Sequence, residues 1–250
     1  MWSDRGLELS GNDASPVNII DTTVFRALFG LVYFCPPLGP TWQYLVNDDL
    51  LKGGLVMAAF WGLWFRNDST EAETREYLLF AFISSVAALL LGRLLALCLP
   101  FHVRPSQNPM CDFPFPYTAA ADMPRSWNTC PSDHAILFFC LATCLWFVNR
   151  PIGLFCLGFT VLGISAPRLY MGYHYPIDIL VGGLLGIGAA MLATVPKIRK
   201  SLTSRILVWM QHRPSLFYAF AFLWTFETAN LFRTLLKLAS LLRHAAAAIF

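Results

Sequence analysis

A histidine with a carboxylate four residues later is the first group in this chain that could do chemistry. If one helix carries both, His174 and Asp178 lie on the same face. A carboxylate bonded to one ring nitrogen fixes the imidazole tautomer and raises the basicity of the other nitrogen, which can then attack phosphorus. Arg168 precedes His174 by six residues, and its guanidinium suits the charge of a phosphoryl transition state. In isolation, this spacing is also typical of a packed histidine near a capped helix.

A second group follows a proline and combines a helix start with an anion site. Ser132 is suited to cap a helix and Asp133 to occupy its first turn. The same geometry points backbone N–H groups at an anion. His134 would then lie beside a bound phosphate and protonate the leaving oxygen as a general acid. Arg104, at the end of an apolar segment, could clamp phosphate or reach the membrane headgroups.

The composition assigns the segments between these groups to a membrane. Hydrophobic residues make up 56% of the 250 residues and charged residues only 13%, with a mean hydropathy of +0.55. A soluble domain carries about 25% charged residues. The 8 Trp, 8 Tyr and 21 Phe fit a protein with aromatic belts at the membrane interfaces. The net charge of +3 is too small and too scattered to suggest a nucleic-acid partner.

The apolar runs predict an all-α, polytopic membrane helix bundle that forms a single domain. Six core transmembrane helices are expected, within residues 17–46, 51–65, 77–101, 134–147, 152–167 and 177–195. Pro36, Pro37 and Pro40 predict a first span that is short, kinked or partly re-entrant. Gly182 and Gly186 have the spacing that allows close packing of the sixth helix.

Three segments lie outside this core. They are a polar N-terminal tail at residues 1–16, an external loop at 102–133 and a C-terminal extension at 214–250. The loop contains six prolines and the aromatic residues Phe113, Phe115, Tyr117 and Trp127, which would let it cover the membrane surface as a lid. The extension could add a seventh span at 214–232 and an interfacial amphipathic helix at 233–250.

Charge in the connecting segments predicts the orientation. Residues 197–213 are basic, which favours a cytoplasmic loop there and places the loop at 66–76 on the same side. The loops at 102–133 and 168–176 then share the external side. All the groups described above therefore converge at one face of the membrane.

The order of these groups resembles the three-part signature of the type 2 phosphatidic acid phosphatase (PAP2) superfamily of membrane lipid phosphatases. The resemblance covers residues 93–178 closely and the six-span layout more loosely. The matching runs are Arg104-Pro105, then Pro131-Ser132-Asp133-His134, then Arg168 with His174 and Asp178.

The resemblance implies roles for individual residues. It implies that His174 is the nucleophile and forms a phosphohistidine, that Asp178 orients it, and that His134 is the general acid. Arg104, Arg168 and Ser132 would hold the phosphate. Neither a metal nor another cofactor is expected.

The sequence departs from the family pattern at three positions. Where the family has a lysine seven residues before the arginine of the first run, this chain has Leu97, so Arg93 or His102 could replace that lysine in binding phosphate. Asp133 stands where a glycine is usual, as part of the phosphate-binding run. Pro167 precedes Arg168 in place of a serine, with Ser165 nearby.

The run Pro-Ser-Asp-His is similar to that of family members acting on undecaprenyl pyrophosphate. We therefore expect a phosphatase that hydrolyses a polyprenyl pyrophosphate or a related lipid phosphate, such as phosphatidic acid, at the external face of a bacterial inner membrane. Its partners would be that substrate and the membrane lipids.

Three alternatives keep the same residues. A phosphotransferase would pass the phosphoryl group from His174 to a second lipid and would differ only in excluding water. A lipid-binding or transport protein would hold the lipid phosphate without turnover. A metal-dependent hydrolase or carrier could use His134, His174, Asp133 and Asp178, although the arginines would oppose a cation. Separately, Cys111 and Cys130 could pair across the external loop.

Overall fold

A computed structural model describes residues 16–67, 69–116 and 128–232. Outside these residues lie residues 1–15 of the tail expected at 1–16, the aromatic residues Tyr117 and Trp127, and the amphipathic helix expected at 233–250. Within the described part of the chain the fold is all-α, without a strand. Its helices are α1 Ile19–Phe34, α2 Leu38–Asn47, α3 Leu55–Trp64, α4 Glu71–Cys98, α5 Asp133–Val148, α6 Arg150–Phe159, α7 Ala166–Tyr170, α8 Pro176–Met191, α9 Pro196–His212 and α10 Pro214–Ala229.

Each of the six apolar regions is helical, and together they form the bundle of an integral membrane protein. Three continuous helical stretches are long and apolar enough to cross a membrane: Glu71–Cys98, Arg150–Tyr170 and Pro176–Thr194. The second of these runs from α6 through a π-helical segment, Thr160–Ser165, into α7. The stretches Leu50–Trp64 and Asp133–Val148 are apolar but shorter. Helix α10 has 16 residues, about 24 Å at 1.5 Å per residue, which is short of the ~30 Å hydrocarbon core.

The first apolar region is a sharply bent pair of helices. Helices α1 and α2 together are long and apolar enough to cross, but they meet at an angle of 115°. Pro36 and Pro37 occupy the break, and Pro40 lies in the first turn of α2. A proline lacks the N–H that a continuous helix needs and its ring collides with the preceding turn. The kink expected from these prolines is therefore confirmed.

Helix α5 lies at the centre of the bundle. Ten of its residues are buried, around its whole circumference, as expected of a helix that is hydrophobic on every face. It packs between α4, α6 and α8. Because α5 begins with the Asp133-His134 pair, the central helix carries one of the candidate functional groups from the bundle core to its end.

Two glycines bring α8 against α5, as their spacing predicts. A Cβ atom added at Gly182 would lie 2.6 Å from the carbonyl oxygen of Ser132 and 3.0 Å from the Cβ of Ala135. One added at Gly186 would press on the carbonyl oxygen of Ile136. The two backbones are thus in contact, which fixes the start of α8 relative to the start of α5.

We expect Gly186→Ala to destabilise the protein by about 1–3 kcal/mol, since the new methyl group has only backbone to displace. Gly188→Ala on the same helix is the matched control, because nothing lies within 4 Å of a Cβ there. Thermal unfolding in detergent should show a lower midpoint for the first variant only. Equal midpoints would contradict the close approach of the two helices.

The other end of the bundle is held by charge. The buried Arg199 of α9 donates to Glu76 at 3.2 Å and to Glu73 at 3.1 Å, both near the start of α4, and lies 4.0 Å from the centroid of the Tyr77 ring. The basic segment was expected to be a loop, and this was wrong: it forms α9, because Arg199 can be buried once two carboxylates neutralise it. The loop expected at 66–76 is shorter, since α4 begins at Glu71.

Candidate active site

The three sequence runs meet at one end of the bundle. The backbone N–H of Ser132 donates to the carbonyl oxygen of Asp178 at 3.1 Å, joining the start of α5 to the start of α8. Arg93, near the end of α4, forms an ion pair with Asp133. This end is about 25 Å along α4 from Glu76, at 1.5 Å per residue. The convergence expected from the order of the spans is therefore present.

The candidate nucleophile lies in the turn between α7 and α8. His174 is 9% exposed, and its Nδ1 is 3.0 Å from the carbonyl oxygen of Thr129. A carbonyl can only accept a hydrogen bond, so Nδ1 carries the proton and donates it. The Nε2 atom of the neutral ring then keeps its lone pair, which is the form that a nucleophilic histidine requires.

The surroundings of His174 keep the ring neutral. Burial lowers the pKa of His174 below its usual value, and the positive charges of Arg104 and Arg168 lower that pKa further. The carboxylate of Asp178 opposes these effects in part. An imidazole with a lowered pKa is unprotonated near neutral pH, so it is ready to attack.

The hydrogen bond expected between Asp178 and the ring of His174 is not present. Oδ2 of Asp178 is 3.7 Å from Nδ1 of His174, beyond hydrogen-bond distance. That oxygen accepts a hydrogen bond from the backbone N–H of Tyr175 at 2.8 Å and so caps the start of α8. The Nδ1–H of His174 donates instead to the carbonyl oxygen of Thr129. The fully buried carboxylate therefore acts on His174 through its charge.

Two arginines of the signature are buried with their side chains held by carbonyl groups. Nη1 of Arg104 donates to the carbonyl oxygen of Tyr173 at 2.7 Å, and Nη1 of Arg168 donates to that of Ile164 at 2.8 Å. Buried guanidinium groups are costly, which makes such positions typical of binding sites for anions. Both charges act on His174, so the structure places two buried guanidinium groups close to this ring.

Several buried polar atoms around His174 have no hydrogen-bond partner among the described residues. They are Nε of Arg104, Oγ1 of Thr129, Oγ of Ser132 and Oδ1 of Asp178. Ser132 occupies the N-cap position of α5, but its hydroxyl makes no capping hydrogen bond. Unsatisfied buried polar groups cost about 1–3 kcal/mol each. Two hydroxyl groups and one N–H are thus available to a ligand with phosphate oxygens.

The first and second runs are coupled by charge. Leu97, at the position of the family lysine, is 83% exposed and points away from the bundle. Arg93, one turn earlier on α4, instead reaches the carboxylate of Asp133. The pairing keeps Arg93 at the site and offsets the negative charge of Asp133, which would otherwise repel an anion. His102, the other candidate for the lysine's role, stacks on the Tyr175 ring at a centroid distance of 4.5 Å.

The candidate general acid, His134, and the serine near the third run, Ser165, both lie within or at the end of helical segments. His134 is the second residue of α5, where it is partly buried and stacks on Phe138 with ring centroids 6.4 Å apart. Ser165 lies one turn before Arg168 at the end of the π-helical segment, and its buried hydroxyl has no hydrogen-bond partner among the described residues.

Sequence reasoning missed the residues that position the site through backbone groups. The carbonyl groups of Thr129 and Tyr173 hold His174 and Arg104, and no side-chain pattern predicts a carbonyl contact. Asn108 donates to the buried hydroxyl of Tyr175 at 2.8 Å and ties the segment after α4 to the start of α8. The only feature of the sequence that could have indicated such a role is that Thr129 lies just before the second run.

The two loop cysteines are free thiols rather than a disulfide. Burial raises the pKa of Cys111 to about 11 and that of Cys130 to about 12. The negative charge of Asp178 contributes to the shift at Cys130, which places this thiol beside the site. Among the described residues, no group of three or more His, Cys, Asp or Glu side chains is arranged to hold a metal ion, so the metal-dependent alternative has no donor set there.

Comparison with known proteins agrees with this site. The family model described as the PAP2 superfamily matches residues 73–200. A protein named bacitracin transport permease protein BcrC, from Bacillus licheniformis, is 31% identical over 169 residues, covering 64% of this chain and 73% of that protein. Undecaprenyl-diphosphatase BcrC from Bacillus subtilis (strain 168) is 28% identical over 158 residues, covering 63% of this chain and 74% of that protein. No solved structure matches the chain significantly.

Proposed function

The chain belongs to the PAP2 superfamily and is a phosphatase, and on this premise we propose that it hydrolyses a polyprenyl pyrophosphate through a phosphohistidine. The observation that carries the proposal is the setting of His174. Its Nδ1 proton is held by the carbonyl of Thr129, its other nitrogen is free to react, and the charges of Arg104 and Arg168 act on it.

In the first step, Nε2 of His174 attacks the terminal phosphorus and forms an N–P bond. The bond from that phosphorus to the bridging oxygen breaks, and the lipid monophosphate leaves with a proton from the imidazolium of His134. Arg104, Arg168 and the Ser132 hydroxyl hold the oxygens of the phosphoryl group in transit. The carboxylate of Asp178 stabilises the positive charge that develops on the His174 ring.

In the second step, water replaces the histidine. His134, now neutral, accepts a proton from the water as its oxygen bonds to phosphorus. The N–P bond breaks, its electrons return to His174, and inorganic phosphate leaves. The protein is then back in its starting state, with His134 protonated and His174 neutral.

A pyrophosphate is favoured over a monoester by the hydrogen-bonding groups at the second run. Asp133 holds the guanidinium of Arg93 at the site in an ion pair whose net charge is zero, so Arg93 contributes N–H donors without adding net positive charge. A substrate with two phosphate groups has more oxygens to accept from such donors. A relative named undecaprenyl-diphosphatase supports the same substrate class.

We further propose that the site faces the outside of a bacterial inner membrane. The opposite end of the bundle carries the basic residues of α9 and the Arg150 turn between α5 and α6. An excess of Lys and Arg marks cytoplasmic ends. At the end that carries the site, by contrast, the arginines belong to the site itself and do not indicate a cytoplasmic surface. The loop at 102–133 would cover this end as a lid.

Two further functions share this geometry. A phosphotransferase would use the same steps with a lipid hydroxyl in place of water. A relative named a bacitracin transport permease keeps a transport role open as a second candidate. The phosphoryl acceptor separates the transferase from a hydrolase, and the absence of turnover separates the transport protein from both.

The experiment that tests the proposal is phosphate release by the purified protein in detergent, with a chelator present. Undecaprenyl pyrophosphate and phosphatidic acid are compared at equal concentration. We expect release from both, with the pyrophosphate faster. No release from either lipid would contradict the proposal, and transfer of the phosphoryl group to an added lipid hydroxyl in place of release would identify a transferase.

The pH dependence should follow the lowered pKa of His174. Because the ring stays neutral until the pH falls below its lowered pKa, the acidic limb of kcat/KM should lie below pH ~6.5, the ordinary imidazole value. Asp178 raises this pKa, so Asp178→Asn should move the limb to still lower pH. Rate profiles of the two proteins measure the shift. A limb that moves upward would contradict the assignment of the limb to His174.

Arg93→Ala should raise KM about 10- to 100-fold, since a charge-assisted contact contributes about 1.5–3 kcal/mol. Part of that loss comes from Asp133, whose carboxylate would then face the phosphate alone. The double variant with Asp133→Asn should therefore recover part of the affinity. Arg150→Ala, an exposed arginine at the opposite end, is the control. An unchanged KM for Arg93→Ala would remove Arg93 from the binding site.

A further inference from the structure

We propose that an aromatic groove at the end of the bundle opposite the active site binds one anionic phospholipid. Its acyl chain would lie in the groove, and its phosphate headgroup would contact Arg205 and Arg213. This site is separate from the catalytic one and takes a lipid of the opposite leaflet.

The groove is formed by α3, α4, α9 and α10. It has a volume of 310 Å³, and its walls are almost wholly apolar. Six of the residues lining it are Trp61, Trp64, Trp209, Phe217, Phe220 and Trp224. Ligand pockets are about 300–1,000 Å³, so this groove accommodates a length of hydrocarbon chain rather than an entire lipid.

The shape of the groove is fixed by aromatic contacts. The ring of Trp209 lies 5.6 Å from that of Phe217 and 5.9 Å from that of Phe220, across the α9–α10 corner. On the facing wall, Trp64 stacks on Phe217 at 5.7 Å and its Nε1 donates to the hydroxyl of Tyr218 at 3.3 Å. Aromatic rings with a polar edge are typical of the membrane interface, where a lipid headgroup joins its chain.

Two cations flank the groove. Arg205 precedes Trp209 by one helical turn, and Arg213 follows it by four residues, at the end of α9. Both side chains are exposed, and neither is in an ion pair within the described part of the chain.

Three carboxylates described at this end are already in ion pairs. Glu71 pairs with Arg75, and Glu73 and Glu76 pair with Arg199. Arg205 and Arg213 are in no ion pair with an acid among the residues that the structure describes. A positive rim over an apolar groove complements a lipid with an anionic headgroup and not a zwitterionic one.

The lipid substrate itself does not fit this site. Its phosphate groups must lie at His174, whereas the groove rim is on the other side of the bundle, about 25 Å away along α4. The occupant with a phosphate at the rim is therefore a second lipid molecule.

The test uses the full chain in neutral detergent and measures tryptophan quenching by lipids with brominated acyl chains. Four of the eight tryptophans, Trp61, Trp64, Trp209 and Trp224, line the groove. Brominated phosphatidylglycerol should quench at a lower mole fraction than brominated phosphatidylcholine. Each basic side chain near an anionic lipid contributes about a fivefold factor, so we expect about 25-fold weaker binding when Arg205 and Arg213 are both changed to Gln.

The control variant makes the same change in charge elsewhere on the same end. Lys200 lies nine residues before Trp209 and hence on the opposite side of α9, and Arg150 is the first residue of α6. The double variant Arg150→Gln, Lys200→Gln should quench as the parent does. Equal quenching by both lipids would overturn the proposal, as would equal loss in the two double variants. An absence of quenching by either lipid would show that the groove is filled by the protein itself and would also overturn it.

Discussion

Replacing His174 with asparagine should reduce phosphate release by about 10⁴-fold or more, because no other group can form the covalent intermediate. Asparagine is the informative substitution. Its amide nitrogen occupies the position of Nδ1 of His174 and can donate to the carbonyl of Thr129 as that atom does, at 3.0 Å, so the carbonyl keeps its donor. The thermal midpoint of the variant should therefore remain close to that of the parent.

The covalent intermediate is measured directly with a substrate labelled at its terminal phosphorus. After a denaturing quench in base, the parent should carry label that is stable in alkali and lost in acid, as a phosphoramidate is. The His174→Asn variant should carry none. His212→Asn, a change of an exposed histidine at the far end of α9, is the matched control and should be labelled like the parent. Label on the His174 variant would place the nucleophile elsewhere.

The features that could be predicted from the sequence are those set by local sterics. Pro36 and Pro37 break the first span because a proline lacks an N–H, whatever it packs against. Gly182 and Gly186 allow α8 to touch α5 because they lack a side chain. The meeting of the three runs follows from counting spans, since alternate loops of a membrane bundle lie on the same side.

The features that could not be predicted depend on backbone groups and on distant partners. The Nδ1–H of His174 donates a hydrogen bond to the backbone carbonyl of Thr129, which a residue of any type at position 129 could accept. The carboxylate of Asp178 instead accepts a hydrogen bond from the backbone N–H of Tyr175. This N–H, at the start of α8, competes with the His174 ring for the same oxygen. The pattern His-x-x-x-Asp is therefore retained while its expected hydrogen bond is not.

Arg199 shows the same limit for the fold. A run of basic residues reads as a solvated loop when only its neighbours are considered. These residues form α9, in which Arg199 is buried. It can be buried because Glu73 and Glu76, more than a hundred residues earlier in the chain, supply two carboxylates. Pairing across that separation carries no local signal, and so the helical state of α9 emerged only from the structure.

The role of His134 should depend on the leaving group. A general acid is needed most when a strongly basic oxygen departs, and it contributes about 10²–10⁴-fold in such cases. Phosphatidic acid releases an alcohol, whereas a pyrophosphate releases a lipid monophosphate whose second pKa is about 6. His134→Gln should therefore nearly abolish the first half-reaction with phosphatidic acid and slow it much less with undecaprenyl pyrophosphate.

The second half-reaction needs His134 for both substrates, because water must lose a proton to attack the phosphohistidine. With undecaprenyl pyrophosphate, His134→Gln should thus release a burst of lipid monophosphate equal to the enzyme present, and the labelled phosphoenzyme should accumulate. With phosphatidic acid there should be neither burst nor label. Rapid-quench measurements on both lipids distinguish the two half-reactions. Equal slowing of the burst with both lipids would mean that His134 positions the phosphoryl group and transfers no proton, since only proton transfer to the departing oxygen distinguishes an alcohol from a phosphate.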